Sequence, residues 1–255
     1  MALVIEQFMC RSDNFGVLIH DSGSGLTAAI DAPEVAPIKA KLAEKGWKLD
    51  WIIVTHHHED HVEGILPLKQ EYGCTVIGPA GEAATIPGID RTVSEGDVLD
   101  FGGTRIEVLE TPGHTLGHVS YVLPDEKVAF VADTLFSLGC GRVIEGTPAM
   151  LWDSLEKLIA LPNDTSIYCG HEYTEANAKF ALTIEPGNAD LVARAAEVAK
   201  LRAEGKATLP VTMALEKRTN PFLRPAEPAI RKLLGMEDAT DAEVFAEIRG
   251  RKDRF

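Results

Sequence analysis

The sequence predicts an α/β fold built in layers, followed by a smaller all-α segment, and three observations carry that reading. Up to about residue 172, short β-branched runs alternate with Gly, Pro and Asp punctuation. Helical intervals stand between some of those runs but not all, so hairpins mix with α-connections instead of repeating as βα units; this fits a layered sandwich better than a barrel. Beyond residue 172 the strand signal stops and Ala, Glu, Leu, Lys and Arg dominate.

In chain order, the runs 17–20 and 28–31 read as strands joined by a Ser22-Gly23-Ser24-Gly25 turn. Gly23-x-Gly25-x-x-Ala28 formally matches a dinucleotide-binding loop, but it leads into a strand rather than a helix and is discounted. A helix over 33–45 precedes the strand 51–54. The next helix, 62–72, is expected to bend or break at Pro67. Strands at 75–78, 105–110, 119–123 and 127–132 follow, then a helix over 149–160 and a strand at 166–169. The tail is expected to hold helices at 174–184, 188–204, 228–234 and 241–254. Thr240 to Glu243 forms a capping box for the last one, and Pro186-Gly187 and Asn220-Pro221 are breaks.

With 255 residues and 45% hydrophobic content the chain can bury a large core. A net charge of −14 works against nucleic acid, whose binding relies on basic patches. The four cysteines are scattered, without a C-x-x-C pair, and read as reduced thiols. Neither a signal-peptide pattern nor a long apolar run is evident. A cytoplasmic protein without a membrane or nucleic-acid partner is therefore expected; a monomer is the default expectation, on which the sequence itself is silent.

The chemistry is concentrated where apolar runs stop. Trp51-Ile52-Ile53-Val54 leads into T-H-H-H-E-D-H at 55–61, where His56, His58, Asp60 and His61 stand at metal-ligand spacing. The run ending Val108-Leu109-Glu110 leads through Thr111-Pro112-Gly113 to His114. Phe130-Val131-Ala132 leads to Asp133, and Ile167-Tyr168-Cys169-Gly170 to His171. In a sheet-based fold, loops at one end of neighbouring strands converge, so these groups can meet although they are distant in sequence. Seven ligands exceed what one tetrahedral ion with an open position needs. Two ions account for them if His56, His58 and His114 hold one, Asp60, His61 and His171 the other, and Asp133 bridges at the ~3.5–4 Å spacing of two-metal hydrolases. His57, Glu59 and His118 are expected to support the turn or the ligands, and His20 is assigned no function. No G-x-S-x-G elbow points to a serine hydrolase.

These residues resemble the metallo-β-lactamase superfamily, whose H-x-H-x-D-H signature matches His56 to His61. More narrowly the chain resembles the glyoxalase II, or hydroxyacylglutathione hydrolase, family. The motifs are T-P-G-H-T-L-G-H (111–118), A-D-T-L-F-S-L-G-C-G-R (132–142), E-G-T (145–147), Y-C-G-H-E-Y-T (168–174), T-N-P-F-L-R (219–224) and R-K-D-R-F (251–255). The resemblance implies an αββα sandwich over 1–172 and a helical glutathione-binding domain over 173–255, with the same ligand partition. Two divalent ions are expected, zinc first by ligand chemistry, with iron or manganese suited to the same nitrogen and oxygen ligands. The resemblance also implies glutathione contacts from Arg142, Tyr173, Arg249 and Lys252. Ile144 departs from the pattern: an aromatic hydroxyl is usual there, so one hydrogen bond to glutathione is expected to be missing.

The reaction so implied is hydrolysis of the thioester S-D-lactoylglutathione to D-lactate and glutathione, a step of methylglyoxal detoxification. Attack by a metal-bound hydroxide, oriented by Asp60 and Asp133, needs no side-chain nucleophile. A thiol with pKa near ~8.5 leaves as thiolate without a dedicated general acid. The alternative on the same fold is a glutathione-dependent persulfide dioxygenase with a single iron, which a complete second site argues against. A nuclease and a non-catalytic metal-binding module are the remaining alternatives.

Overall fold

The computed structural model describes residues 3–255, which fall into two compact units. One runs to Glu110 and resumes over Thr115–Val131; the other takes Thr111–His114 and Ala132–Phe255.

The first unit holds β1 (Leu3–Cys10), β2 (Asn14–Asp21), β3 (Thr27–Ile30), α1 (Val35–Lys45), β4 (Trp51–Ile53), α2 (Glu59–Val62), α3 (Ile65–Tyr72), β5 (Thr75–Pro79), β6 (Arg91–Val93), β7 (Val98–Phe101), β8 (Thr104–Glu110), β9 (Val119–Leu123) and β10 (Val128–Ala132), whose last residue belongs to the other unit. Strands β1 to β6 form one sheet in sequence order, antiparallel from β1 to β3 and parallel from β3 to β6. Strands β7 to β10 form an antiparallel meander.

Ile38 and Leu42 of α1 and Ile65 and Leu68 of α3 recur at helical spacing and bury against Leu18, Ala29, Ile52 and Val76 of the first sheet. Each such side chain contributes about 1.5–3 kcal/mol when fully buried. On the other face of that sheet Trp51 meets Phe101 of β7 at 5.4 Å between ring centroids, and the Tyr121 hydroxyl of β9 donates to the Val54 carbonyl at 2.7 Å. Because β3 and β4 run parallel, Asp31 and the 55–61 run leave the sheet at the same edge.

The second unit holds β11 (Leu135–Phe136) and β12 (Gly139–Cys140), a small hairpin, then α4 (Pro148–Ile159), β13 (Ser166–Cys169), α5 (Thr174–Ile184), α6 (Ala189–Ala203), β14 (Val211–Thr212), α7 (Met213–Thr219), α8 (Pro228–Leu234) and α9 (Asp241–Arg254). Helix α4 starts with Thr147 accepting from Met150 N at 3.2 Å and Pro148 in its first turn. The capping box expected at Thr240 and Glu243 is formed. Trp152 of α4 packs on Phe245 of α9, and Leu138 packs with Ala178, Ala181 and Leu191 of α5 and α6. These contacts tie residues 132–171 to the helical tail, which is why this unit opens at Ala132.

Two local expectations are corrected. The helix expected over 62–72 is interrupted not at Pro67 but at Glu63–Gly64, between α2 and α3. Pro67 lies in the first turn of α3, where its missing N–H has no intrahelical partner to lose. Gly64 supplies the break: its N–H donates to the Ala32 carbonyl at 2.8 Å, and a Cβ there would stand equally close to that oxygen. The other correction is of omission, since β1, β6, β7, β11, β12, β14 and α7 carry no expectation from the sequence.

Candidate active site

In the first unit, β4 delivers Thr55 and then His56, His57 and His58, and the short α2 carries Asp60 and His61. His56 and His61 are buried, with ring centroids 4.1 Å apart, and His58 meets His56 edge-on at 4.8 Å. Asp31, buried at the end of β3, holds this turn. It accepts from Thr55 N at 2.7 Å and from Thr55 Oγ1 at 2.8 Å, and it pairs with His61 Nδ1 at 2.8 Å. Its oxygens could complete a buried cation site with His56 and His61. With those oxygens engaged, however, Asp31 is better suited to orient His61, whose Nε2 faces Asp60 Oδ2 at 3.7 Å. Asn14 fixes Asp60 in turn, donating to its Oδ2 at 3.0 Å and its carbonyl at 3.1 Å.

The turn residues between the ligands have other partners. Glu82, a buried carboxylate, accepts from His57 N at 2.6 Å, from Gly117 N at 3.0 Å and from Thr115 Oγ1, and its Oε2 lies 2.9 Å from His57 Nδ1. It thereby ties the histidine turn to the loop that follows His114. His118 is fully buried and stacks on the His56 ring at 4.8 Å, while Glu59 is exposed. His20 stacks on Trp47 at 4.4 Å, remote in role from these groups.

The second unit brings together His114, Asp133 and His171, all buried. Asp133 Oδ2 lies 3.5 Å from His114 Nε2 and 3.3 Å from His171 Nε2. Two ligand atoms each ~2.0–2.1 Å from one tetrahedral ion stand about 3.4 Å apart, so one carboxylate oxygen here has the spacing to share an ion with either imidazole. His114 Nδ1 donates to the Arg142 carbonyl at 2.8 Å, which directs Nε2 toward Asp133. Close approach of the G-C-G segment makes this possible: a Cβ on Gly141 would overlap the Asp133 carbonyl oxygen. Gly113, at φ 138°, passes against the backbone of Leu151 in α4 in the same manner.

Next to these ligands the second unit has a cavity of about 380 Å³ lined by Phe136, Cys140, Arg142, Tyr173, Arg249 and Lys252, among others. The Tyr173 ring lies parallel to His171 at 4.7 Å, and Phe136 meets both rings edge-on. Lys252 Nζ sits over the Phe180 and Phe255 rings at 5.2 and 5.4 Å and donates to the Ala176 carbonyl at 3.3 Å. Burial, with the neighbouring Arg249 charge, holds its pKa below the usual lysine range. Arg249 itself is only 5% exposed. Its guanidinium donates to the Cys140 and Gly141 carbonyls at 3.0 and 3.4 Å and pairs with Asp253 at 3.0 Å, so much of its donor capacity is spent on the chain. Ile144 is 56% exposed. The Cys140 thiol, pushed up to about 11 by burial, is unsuited to act as a nucleophile at neutral pH.

Five imidazoles and two carboxylates are the donor set a borderline divalent cation takes, so the residues fit a metal. Sequence reading missed Asp31, Asn14 and Glu82. Asp31 alone had a signal, as a carboxylate ending a strand; the other two are recognisable only once the fold brings them beside the ligands.

Residues 8–171 match the family model described as the metallo-beta-lactamase superfamily, and residues 172–255 match that described as the hydroxyacylglutathione hydrolase C-terminus. A hydroxyacylglutathione hydrolase of Brucella anthropi is 61% identical over 253 residues, covering 99% of this chain and 97% of that protein. The chain belongs to the hydroxyacylglutathione hydrolase family. Its relatives in Brucella extend to B. ovis, again 61% identical over 253 residues, with 99% and 98% covered. Among solved structures, ETHE1 from Myxococcus xanthus aligns over 97% of this chain and 90% of its own, at TM-score 0.70 and 26% identity. This family membership bears out the fold class expected above, a metallo-β-lactamase domain followed by a helical one.

Proposed function

We propose that this chain hydrolyses S-D-lactoylglutathione to D-lactate and glutathione at a site for two divalent metal ions. The observation that carries the reading is one carboxylate oxygen, Asp133 Oδ2, placed between two imidazoles, one of which stacks on a tyrosine of a cation-lined cavity. In this reading His56, His58 and His114 hold one ion, Asp60, His61 and His171 the other, and Asp133 both. Zinc is the proposed metal, iron and manganese being compatible with the same ligands.

Such ions, when bound, lower the pKa of a coordinated water and polarise the carbonyl under attack. The chain supplies the rest. Asp60, braced by Asn14, and Asp133 orient the attacking water. Tyr173 and Arg142 position the tripeptide portion of the substrate, and Lys252 provides the cation for its carboxylate end. Arg249 holds the turn that presents Arg142 and, with Lys252, supplies positive charge to the same carboxylate end. The thiolate departs without a dedicated acid, because a thiol of pKa ~8.5 is a good leaving group. The functional division falls at 172/173, with the catalytic domain before it and the glutathione-binding domain after it. A cytoplasmic monomer engaged in methylglyoxal detoxification completes the proposal; among the described residues no helix is long and apolar enough to cross a membrane.

The test is metal analysis and S-D-lactoylglutathione turnover on one preparation. About two ions per chain with rapid hydrolysis is the outcome expected from a two-metal site. A single iron with no hydrolysis overturns it.

A further inference from the structure

The hairpin β11–β12 carries two parts of the site at once. Phe136, on β11, packs on both His171 and Tyr173, and β12 leads through Gly141 to Arg142, whose carbonyl orients His114. Two paired residues per strand give such a hairpin little strength of its own. Its turn is also strained, since Leu138, a non-glycine residue, sits at φ 58° in the left-handed region. A conformation of that kind persists only where the surroundings over-determine it.

Here the surroundings come from the helical tail: the Leu138 side chain packs on Ala178, Ala181 and Leu191, and polar side chains meet the turn's backbone and Ser137. Glu216 of α7 is fully buried; its Oε1 accepts from Ser137 Oγ at 2.8 Å, and its Oε2 from Leu138 N at 2.8 Å. Oε2 also accepts from Asn220 Nδ2 at 2.9 Å, and that amide donates onward to the Phe136 and Gly139 carbonyls at 3.1 and 2.9 Å. Asn177 Nδ2 donates to the Ser137 carbonyl at 3.1 Å. Every residue from Phe136 to Gly139 is thus bonded to one of these three side chains. A buried carboxylate that faces three donors, and that feels the Arg194 charge without a direct ion pair among the described residues, costs solvation that an apolar residue would avoid. That cost is understandable if the carboxylate is there to specify the turn.

We propose that Glu216 is a positioning residue for the glutathione pocket: through Ser137, Leu138 and Asn220 it fixes the turn that sets Phe136 against Tyr173 and presents Arg142. The proposal rests on the glutathione-thioester reading, and the experiment separates the two. Glutathione affinity is measured by calorimetry, and KM and kcat with S-D-lactoylglutathione, for the metal-loaded full chain and the variants Glu216→Ala, Asn220→Ser and Glu216→Gln. A crystal structure of each reports the 136–139 turn. Gln can still offer an acceptor to Leu138 N, with its amide turned to the Ser137 oxygen, whereas Ala cannot.

With the Leu138 acceptor lost, Glu216→Ala is expected to weaken glutathione about tenfold and raise KM alike, with kcat within about threefold and Leu138 out of the left-handed region. Asn220→Ser, which can still cap Phe222 N, is expected to lose several-fold, and serves should the alanine variant not fold. Glu216→Gln stays within about twofold, since its acceptor remains. Folded Glu216→Ala or Asn220→Ser variants with parental affinity and an unmoved turn overturn the proposal. If the parent chain itself does not bind glutathione, the functional reading falls, and the turn in the variant structures still decides whether Glu216 fixes it.

Discussion

Asp31 contributes no proposed metal bond, yet its substitution should be felt at the metal. It pairs with His61 Nδ1 and takes two donors from Thr55, so Asp31→Ala frees the His61 ring to turn and loosens the strand end that carries His56. Loss of a ligand-orienting carboxylate is expected to weaken metal binding about 10–100-fold, read by competition with a chromophoric chelator while circular dichroism reports an intact fold. Lys252 governs the other end of the site. Its pKa is lowered by burial, so it loses its charge at a lower pH than an exposed lysine, and KM should rise on the alkaline side while kcat stays level. Lys252→Met should flatten that rise and lift KM at neutral pH by about 10–100-fold, the range of a charge-assisted hydrogen bond. A pH profile of KM for both chains checks it.

At the scale of elements, Glu216 links packing to pH. Burial raises its pKa despite three donors that favour the carboxylate. The folded chain therefore holds this proton more tightly than the unfolded one. The stability so gained is complete below the ordinary glutamate value of about 4.3 and is lost as pH rises through the raised value. Glutamine cannot ionise, so Glu216→Gln should melt at or above the parent temperature near pH 8, with the advantage shrinking as pH falls toward 4.5; a melting series over that range tests the sign. How legible the elements were follows from the same physics. Strands such as Val119–Leu123 and Val128–Ala132, buried on both faces, announce themselves as apolar runs. Strand β1 does not, because its residues are nearly all half-buried and its apolar ones fall into two short groups split by Glu6 and Gln7, which neither alternate nor make one run. Helix α7 hides because its seven residues are too few to display an apolar period, and only tertiary bonds explain why its Glu216 is inside.

For the whole molecule, the seven proposed ligands were readable because they fall into four groups that each follow an apolar run, a pattern that sequence displays directly. What braces the turns around them was not: Asn14, Glu82 and Glu216 bond across 46, 25 and 79 residues of chain. A metal at that site binds the folded chain alone, so its removal should lower thermal stability as well as activity. With metal at a thousandfold excess over its Kd the stabilisation is about 4 kcal/mol, or roughly 10 °C for a chain of this size. Calorimetric scans before and after chelation, with recovery on adding metal, check this.

The fit of Gly141 under the Asp133 carbonyl has a consequence for how freely the sequence can vary. In a library covering positions 141 and 144, selected for thioester hydrolysis, position 141 should return glycine alone, since any Cβ would push the backbone away from the Asp133 oxygen. Position 144, three residues on and more than half exposed, should return a broad set of residues. Substrate preference can therefore drift at one end of this short segment while the other stays fixed.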